Sequence, residues 1–135
     1  DVCSSDLSGA SEAKIKAFEG KKVKVVASGA SELTLKGNAQ TAELTFSGSS
    51  DGNLSLTGTS LNVVASGASD VDVNFIGTDV KAKASGSSDI DLDVNCRMLD
   101  INCSGASDVE AKGVASKRTL QKSGAASIDV SKLNK

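Results

Sequence analysis

Apolar and polar residues alternate along most of the chain, as in Val71, Asp72, Val73, Asn74 and Val80, Lys81, Ala82, Lys83. A period of two puts every second side chain on one face and predicts strands buried on one side. The alternation restarts at regular intervals, so the apolar positions fall into columns. One reads Ala13, Leu33, Gly52, Val71, Ile90, Val109, Ile128; the next reads Ile15, Leu35, Leu54, Val73, Leu92, Ala111, Val130. A polar turn follows, holding Asn38, Gly58 or Gly77. A second strand then supplies Val23, Ala42, Leu61, Val80, Leu99; Val25, Leu44, Val63, Ala82, Ile101; and Ala27, Phe46, Ala65, Ala84, Cys103.

The columns are set by a repeat. Ser-Gly-Ala-Ser or Ser-Gly-Ser-Ser followed by Asp or Glu recurs with glycines at 9, 29, 48, 67, 86 and 105, and degenerates at Ser123-Gly124-Ala125-Ala126-Ser127. The spacing is 20 once and 19 thereafter, and the first rung carries its extra residue before Val23. Nineteen residues cannot hold two parallel strands joined by a helix crossover. The chain must instead coil, each rung pairing with the rungs above and below. We therefore expect an all-β fold: a single-stranded parallel β-helix, or right-handed β-solenoid, of about seven 19-residue rungs. Left-handed solenoids favour 18-residue rungs of three hexapeptides, and 19 does not divide by six. At ~4.8 Å per rung the rod is roughly 30 Å long. The repeated glycine predicts a corner with positive φ.

Composition fits a thin interior. Pro, Trp, Tyr and His are absent and the aromatics are Phe18, Phe46 and Phe75, so Ala, Val, Leu and Ile must fill the core. The net charge is −2 with no basic run, which gives nucleic acid no electrostatic footprint. No apolar stretch approaches the ~20 residues of a membrane helix. Residues 1–7 resemble a translated adapter oligonucleotide; we set them aside as non-native sequence or the end of a missing preceding rung. Residues 8–135 form the solenoid domain, expected to lack the N-terminal part of its domain.

Candidate chemistry is sparse. Glu12, Glu32, Asp51, Asp70, Asp89 and Asp108 form an acidic column, flanked by Asp72, Asp91, Glu110 and Asp129 with Asp93 nearby. Carboxylates stacked at the rung spacing repel by about 1 kcal/mol per pair in water. Ca²⁺ could bridge them, but the Gly-Gly-x-Gly-x-Asp repeat of calcium-binding β-rolls is absent. We read the column as a solvated corner and assign no metal site. The serine columns, Ser8, Ser28, Ser47, Ser66, Ser85, Ser104, Ser123 and Ser11, Ser31, Ser50, Ser69, Ser88, Ser107, have no histidine to activate them. They read as hydroxyl ladders. Cys103 reads as a small buried hydrophobe and Cys96 as a turn residue; Cys3 lies four or more rungs away, beyond the ~7 Å reach of a disulfide. Arg97 and Lys117 add charge near the last rung. Arg118 and Lys122 occupy formerly apolar columns, as a polar cap on the stack would.

The Ser-Gly-Ala-Ser-Asp motif, followed by alternating apolar residues at 19-residue steps from Ser8 to about Val130, resembles the auto-transporter adhesin, head GIN domain family of bacterial envelope proteins. The resemblance implies a right-handed β-helix and an exported protein of the bacterial cell envelope or its exterior. Together these readings give a non-catalytic structural or adhesin-like module presenting flat solenoid faces to a protein or glycan partner, with no catalytic residue and no cofactor. The alternatives are a glycan-binding module and, more remotely, a polysaccharide-acting β-helix enzyme. Such enzymes carry longer rungs and loop insertions, and sugar platforms use exposed Trp or Tyr; none of these is present. Self-association is expected through the first rung, where Ile15, Val23 and Val25 begin the ladder.

Overall fold

The computed structural model describes residues 2–134, in which there is no helix. Ten strands form one parallel sheet that winds as a solenoid of about seven turns. β1 (Val2–Leu7) is a half rung. β2 (Glu12–Ala27) and β3 (Glu32–Phe46) are the first two full rungs. β4 (Asp51–Thr57) with β5 (Ser60–Ala65), and β6 (Asp70–Ile76) with β7 (Asp79–Ala84), make the third and fourth. β8 (Asp89–Cys103) and β9 (Asp108–Lys122) follow, and β10 (Ser127–Asn134) is a second half rung.

The register reproduces the repeat. Val73 lies beside Leu54 on one side and Leu92 on the other, and Ala82 lies between Val63 and Ile101. From Leu33 to Val109 every inward column read from the sequence is buried. Ala13, Ile15, Ile128 and Val130 are partly buried, because the stack ends there. The extra residue of the first rung is a bulge between Ile15 and Phe18, where two residues of β2 oppose Lys36 alone.

Three features differ from the sequence reading. The expected polar turn is a break only at Gly58-Thr59 and Gly77-Thr78; in β3, β8 and β9 the strand runs through. There the chain bends while still pairing, and the alternation changes phase across two successive outward residues, Gln40-Thr41 or Arg97-Met98. The bend is lined on its inner side by Ala39, Cys96 and Ala115, all buried, so Cys96 is a core residue and not a turn residue. Further inward residues, Leu56, Phe75 and Val94, complete the first strand. Val23 and Val25 are also not open at the first rung, since β1 pairs over Lys22–Ala27 and leaves both buried.

The other corner is the glycine. Gly9, Gly29, Gly48, Gly67, Gly86, Gly105 and Gly124 all have φ between 70° and 73°. The rungs continue to pair through it: Ser66 N–H donates to Phe46 C=O at 2.8 Å and Ala68 N–H to Gly48 C=O at 2.8 Å. The corner is therefore part of the ladder, and the uniform φ follows from the pairing of each copy with the next.

Candidate interaction faces

Each half of the rung has one outward face. The face of the first strand is acidic over the middle rungs. Asp51, Asp70, Asp89 and Asp108 lie in register, and beside them run Asn53, Asp72, Asp91 and Glu110. A shallow open groove crosses this face, floored by Leu54, Val73 and Leu92 and rimmed by Asp72, Asn74, Asp91, Asp93 and Lys112. The period-two pleat explains the arrangement: the residues between the inward apolar columns all emerge on one plane.

Stacking like charges perturbs them. Partial burial raises the Asp91 pKa above the ordinary aspartate value, and a hydrogen bond to Asp72 with the charges of Asp72, Glu110 and Asp89 adds to it. Asp89 is raised by desolvation and by Asp70 and Asp108 on the adjacent rungs. At the edges of the face the acids find cations: Lys14 Nζ lies 3.2 Å from Glu12, and Lys132 Nζ lies 3.0 Å from Glu110. Among the described residues, no group of three or more His, Cys, Asp or Glu side chains is placed to hold one metal ion.

The serines are divided between two roles. Ser31, Ser50, Ser69, Ser88 and Ser107 point inward and are buried. Each Oγ–H donates to the carbonyl three residues earlier, as in Ser69 to Ser66 C=O at 2.7 Å and Ser50 to Ser47 C=O at 2.6 Å. These hydroxyls close the corner and face no solvent. Ser28, Ser47, Ser66 and Ser104 are half-buried and reach carbonyls of the preceding rung at 3.3–3.5 Å.

Cys96 and Cys103 are both free and buried. Burial pushes both thiols up, with the charges of Asp79 and Asp108 respectively adding to it. Deprotonation is therefore disfavoured, the opposite of what a nucleophilic cysteine needs. The side chain of Cys3 lies outside the described residues.

Arg97, Lys117, Arg118 and Lys122 are all exposed. Arg118 follows Leu99 and Lys122 follows Cys103 in the ladder, yet neither is buried, because β10 covers only the first half of β9. The first half of β10 returns Ile128 to an inward column.

Comparison with known proteins gives one match. The family model described as putative auto-transporter adhesin, head GIN domain, matches residues 2–86 and again residues 74–135. A 19-residue repeat lets one model align in two overlapping registers, and together these span the solenoid. No curated protein and no solved structure matches the chain. On the family match, which covers the full length of the stack, the chain belongs to the auto-transporter adhesin, head GIN domain family.

Proposed function

We propose that this chain is a non-catalytic, adhesin-like module of an exported bacterial envelope protein, which makes contact through the flat outward faces of its solenoid. The observation that supports it most is the uninterrupted register from Glu32 to Asp108, which leaves a rigid plane of repeated side chains with no inserted loop. A groove walled by loops, which a polysaccharide lyase or hydrolase needs, has no counterpart among the described residues. The buried serine hydroxyls are engaged in the corners, and the chain has no histidine to serve as their base. The family name points to the same class of role and to the cell envelope or exterior.

The first-strand face is acidic over its middle rungs, whereas the second mixes Lys81 and Lys83 with Glu43 and Asp100, so the two can be tested separately. Asp70→Lys with Asp89→Lys sets two cations in the acidic column of the first-strand face, and Lys81→Glu with Lys83→Glu replaces the two exposed lysines of β7 on the second. Retention of the purified chain on intact bacterial cells and on immobilised polysaccharides is the readout. Loss in one pair of variants and not the other supports face-specific contact; equal retention in both would refute it. Release of cleaved sugar from any polysaccharide would replace the proposal with an enzyme.

A second reading has its own observation. Asn53, Asp72, Asn74, Asp91 and Asp93 line the open groove with planar amide and carboxylate groups, which pair well with sugar hydroxyls. A glycan array distinguishes it: retention on a defined sugar, lost in Asn74→Ala, selects glycan binding over protein contact.

A further inference from the structure

We propose that Asn53 and Asn102 are sites of covalent N-glycosylation, each taking an oligosaccharide from a polyprenyl diphosphate carrier as the chain is exported. Two copies of one five-residue pattern carry this: Asp51-Gly52-Asn53-Leu54-Ser55 and Asp100-Ile101-Asn102-Cys103-Ser104. Asparagine followed two residues later by Ser or Thr is the acceptor pattern for N-linked sugar. An acidic residue two positions before the asparagine is the further requirement of bacterial oligosaccharide transfer. Such transfer rests on the reading above of an exported bacterial chain, because carrier and transferase act outside the cytoplasm.

The pleat gathers the pattern on one side of the strand. In β4, Asp51, Asn53 and Ser55 are exposed, while Gly52 and Leu54 between them are buried. In the second half of β8, Ile101 and Cys103 are buried, Asp100 and Asn102 alternate with them outward, and Ser104 follows at the corner. Asn53 lies on the first-strand face and Asn102 on the second, so each outward face carries one acceptor amide. Two neighbouring asparagines have the acid but lack the hydroxyl. Asn74 follows Asp72 but precedes Ile76, and Asn95 follows Asp93 but precedes Arg97. Both are exposed, so they report whether exposure alone suffices.

The ladder sets the order of events. Asn53 pairs with Thr34 on one side and Asp72 on the other, so a transferase that binds the pattern as a free extended segment cannot take hold of it in the folded stack. Asn102 lies between Lys83 and Gln121, and its Nδ2–H donates to Gln121 Oε1 at 3.5 Å. Transfer therefore precedes the closing of these rungs. In the step itself the side-chain Nδ2 forms a bond to the anomeric carbon of the sugar. The bond from that carbon to the diphosphate oxygen breaks, the diphosphate leaves with the electron pair, and one Nδ2 proton passes to a base of the transferase. Nothing is oxidised or reduced. Folding then keeps the sugar outside, because no inward column is touched. Asn53 also lines the open groove beside Leu54 and Val73, so its sugar covers part of the acidic face.

The test is export of the full chain, behind an added signal peptide, into the periplasm of a bacterium carrying an oligosaccharyltransferase. The probe is a defined oligosaccharide, headed by an N-acetylhexosamine, on undecaprenyl diphosphate. The mass of the intact chain should rise by one and by two glycans, mapped to Asn53 and Asn102. Asn53→Gln and Asn102→Gln should each remove one glycan and together both. Asp51→Asn and Ser55→Ala should each abolish addition at Asn53 while leaving Asn102 modified, an effect that loss of fold would not confine to one site. The purified, folded chain given the same enzyme and donor should gain no sugar. Because export is supplied, an exported chain without sugar would overturn the proposal and leave the envelope reading standing. Sugar on Asn74 or Asn95, or addition at Asn53 that survives Asp51→Asn, would overturn it too, since exposure and not the pattern would then decide. Ready addition to the folded chain would overturn the order of events.

Discussion

The ring of Phe46 occupies the space that a side chain on Gly52 would need: a Cβ built on Gly52 would lie 2.5 Å from Phe46 Cζ. Phe46 is the one large residue in a column that otherwise reads Ala27, Ala65, Ala84 and Cys103, and Gly52 is the one glycine in a column of Leu33, Val71 and Ile90. The two departures from the repeat compensate for each other across the core. Gly52→Val should therefore destabilise the chain by ~1–3 kcal/mol through overpacking. Phe46→Ala should cost about 3–5 kcal/mol through the cavity it leaves. The double variant should be more stable than the sum of the two predicts, because the new valine fills the vacated space. Denaturant unfolding of all four proteins measures the coupling, and strict additivity would contradict the contact.

The corner glycines can be graded in the same way. Gly67 has φ of 73°, and a Cβ there would also lie 2.7 Å from Gly48 C=O on the rung before. Gly9 has φ of 70° and nothing within 4 Å of such a Cβ. Gly9→Ala should thus cost only the left-handed backbone penalty of about 1–2 kcal/mol. Gly67→Ala should cost clearly more, since the rungs must also separate. Equal losses in the two variants, read from thermal unfolding, would mean that stacking adds nothing to the backbone requirement.

Much of this fold was legible in the chain, and the misses share a cause. Val73 and Ala82 read as inward because their neighbours are polar and the period is two. Ser69 reads in the sequence as one member of a hydroxyl ladder, with nothing to mark it as buried. It is nevertheless the second residue after Gly67, and Val71 and Val73 are the fourth and sixth, so it continues the inward series. The signal that could have shown this is Ala126, which takes the serine's place in the last corner and is buried. Cys96 reads as a turn residue for the complementary reason. It is tenth after Gly86 and ends the same series, but the alternation then changes phase at Arg97-Met98, which looks like a polar turn. Of the candidate faces, the acidic columns were legible as columns. The raised pKa of Asp91 was not, because it depends on partial burial and on contact with Asp72.

The buried serine makes a quantitative prediction. Ser69 Oγ–H is the group that satisfies Ser66 C=O at the corner, and no buried side-chain polar atom among the described residues is left unpaired. Ser69→Ala fits sterically, as Ala126 shows, but orphans that carbonyl. The expected loss is ~1–3 kcal/mol. Ser69→Cys should recover part of it, because the thiol is a weak donor. A Ser69→Ala variant with unchanged stability would place the Ser66 carbonyl in solvent.

Cys96 and Cys103 predict a kinetic result. Both thiols are buried, their pKa values are raised, and each is enclosed by neighbouring rungs. Neither should react with a thiol reagent in the native state at neutral pH. Both should react as the stack unfolds, so the labelling rate under denaturant should follow the unfolded population. Rapid labelling of Cys96 in the folded chain would show that the bend at Arg97 opens locally.

The acidic face adds a pH dependence of its own to stability. The Asp91 and Asp89 pKa values in the folded state lie above the ordinary aspartate value that the unfolded chain restores. In the window between those two values the folded state holds protons that the unfolded state has released. Stability then falls as pH rises through that window and is regained on acidification toward its lower end. The usual salt-bridged carboxylate behaves in the opposite way. Mild acidification from neutral pH should therefore raise the denaturation midpoint, and added salt at neutral pH should raise it too, by screening the ladder. Asp91→Asn removes the central charge of the set formed by Asp72, Asp89 and Glu110. It should stabilise the chain at neutral pH and flatten both the pH and the salt dependence. A variant less stable than the wild type at neutral pH would mean that Asp91 accepts a hydrogen bond worth more than the repulsion it suffers.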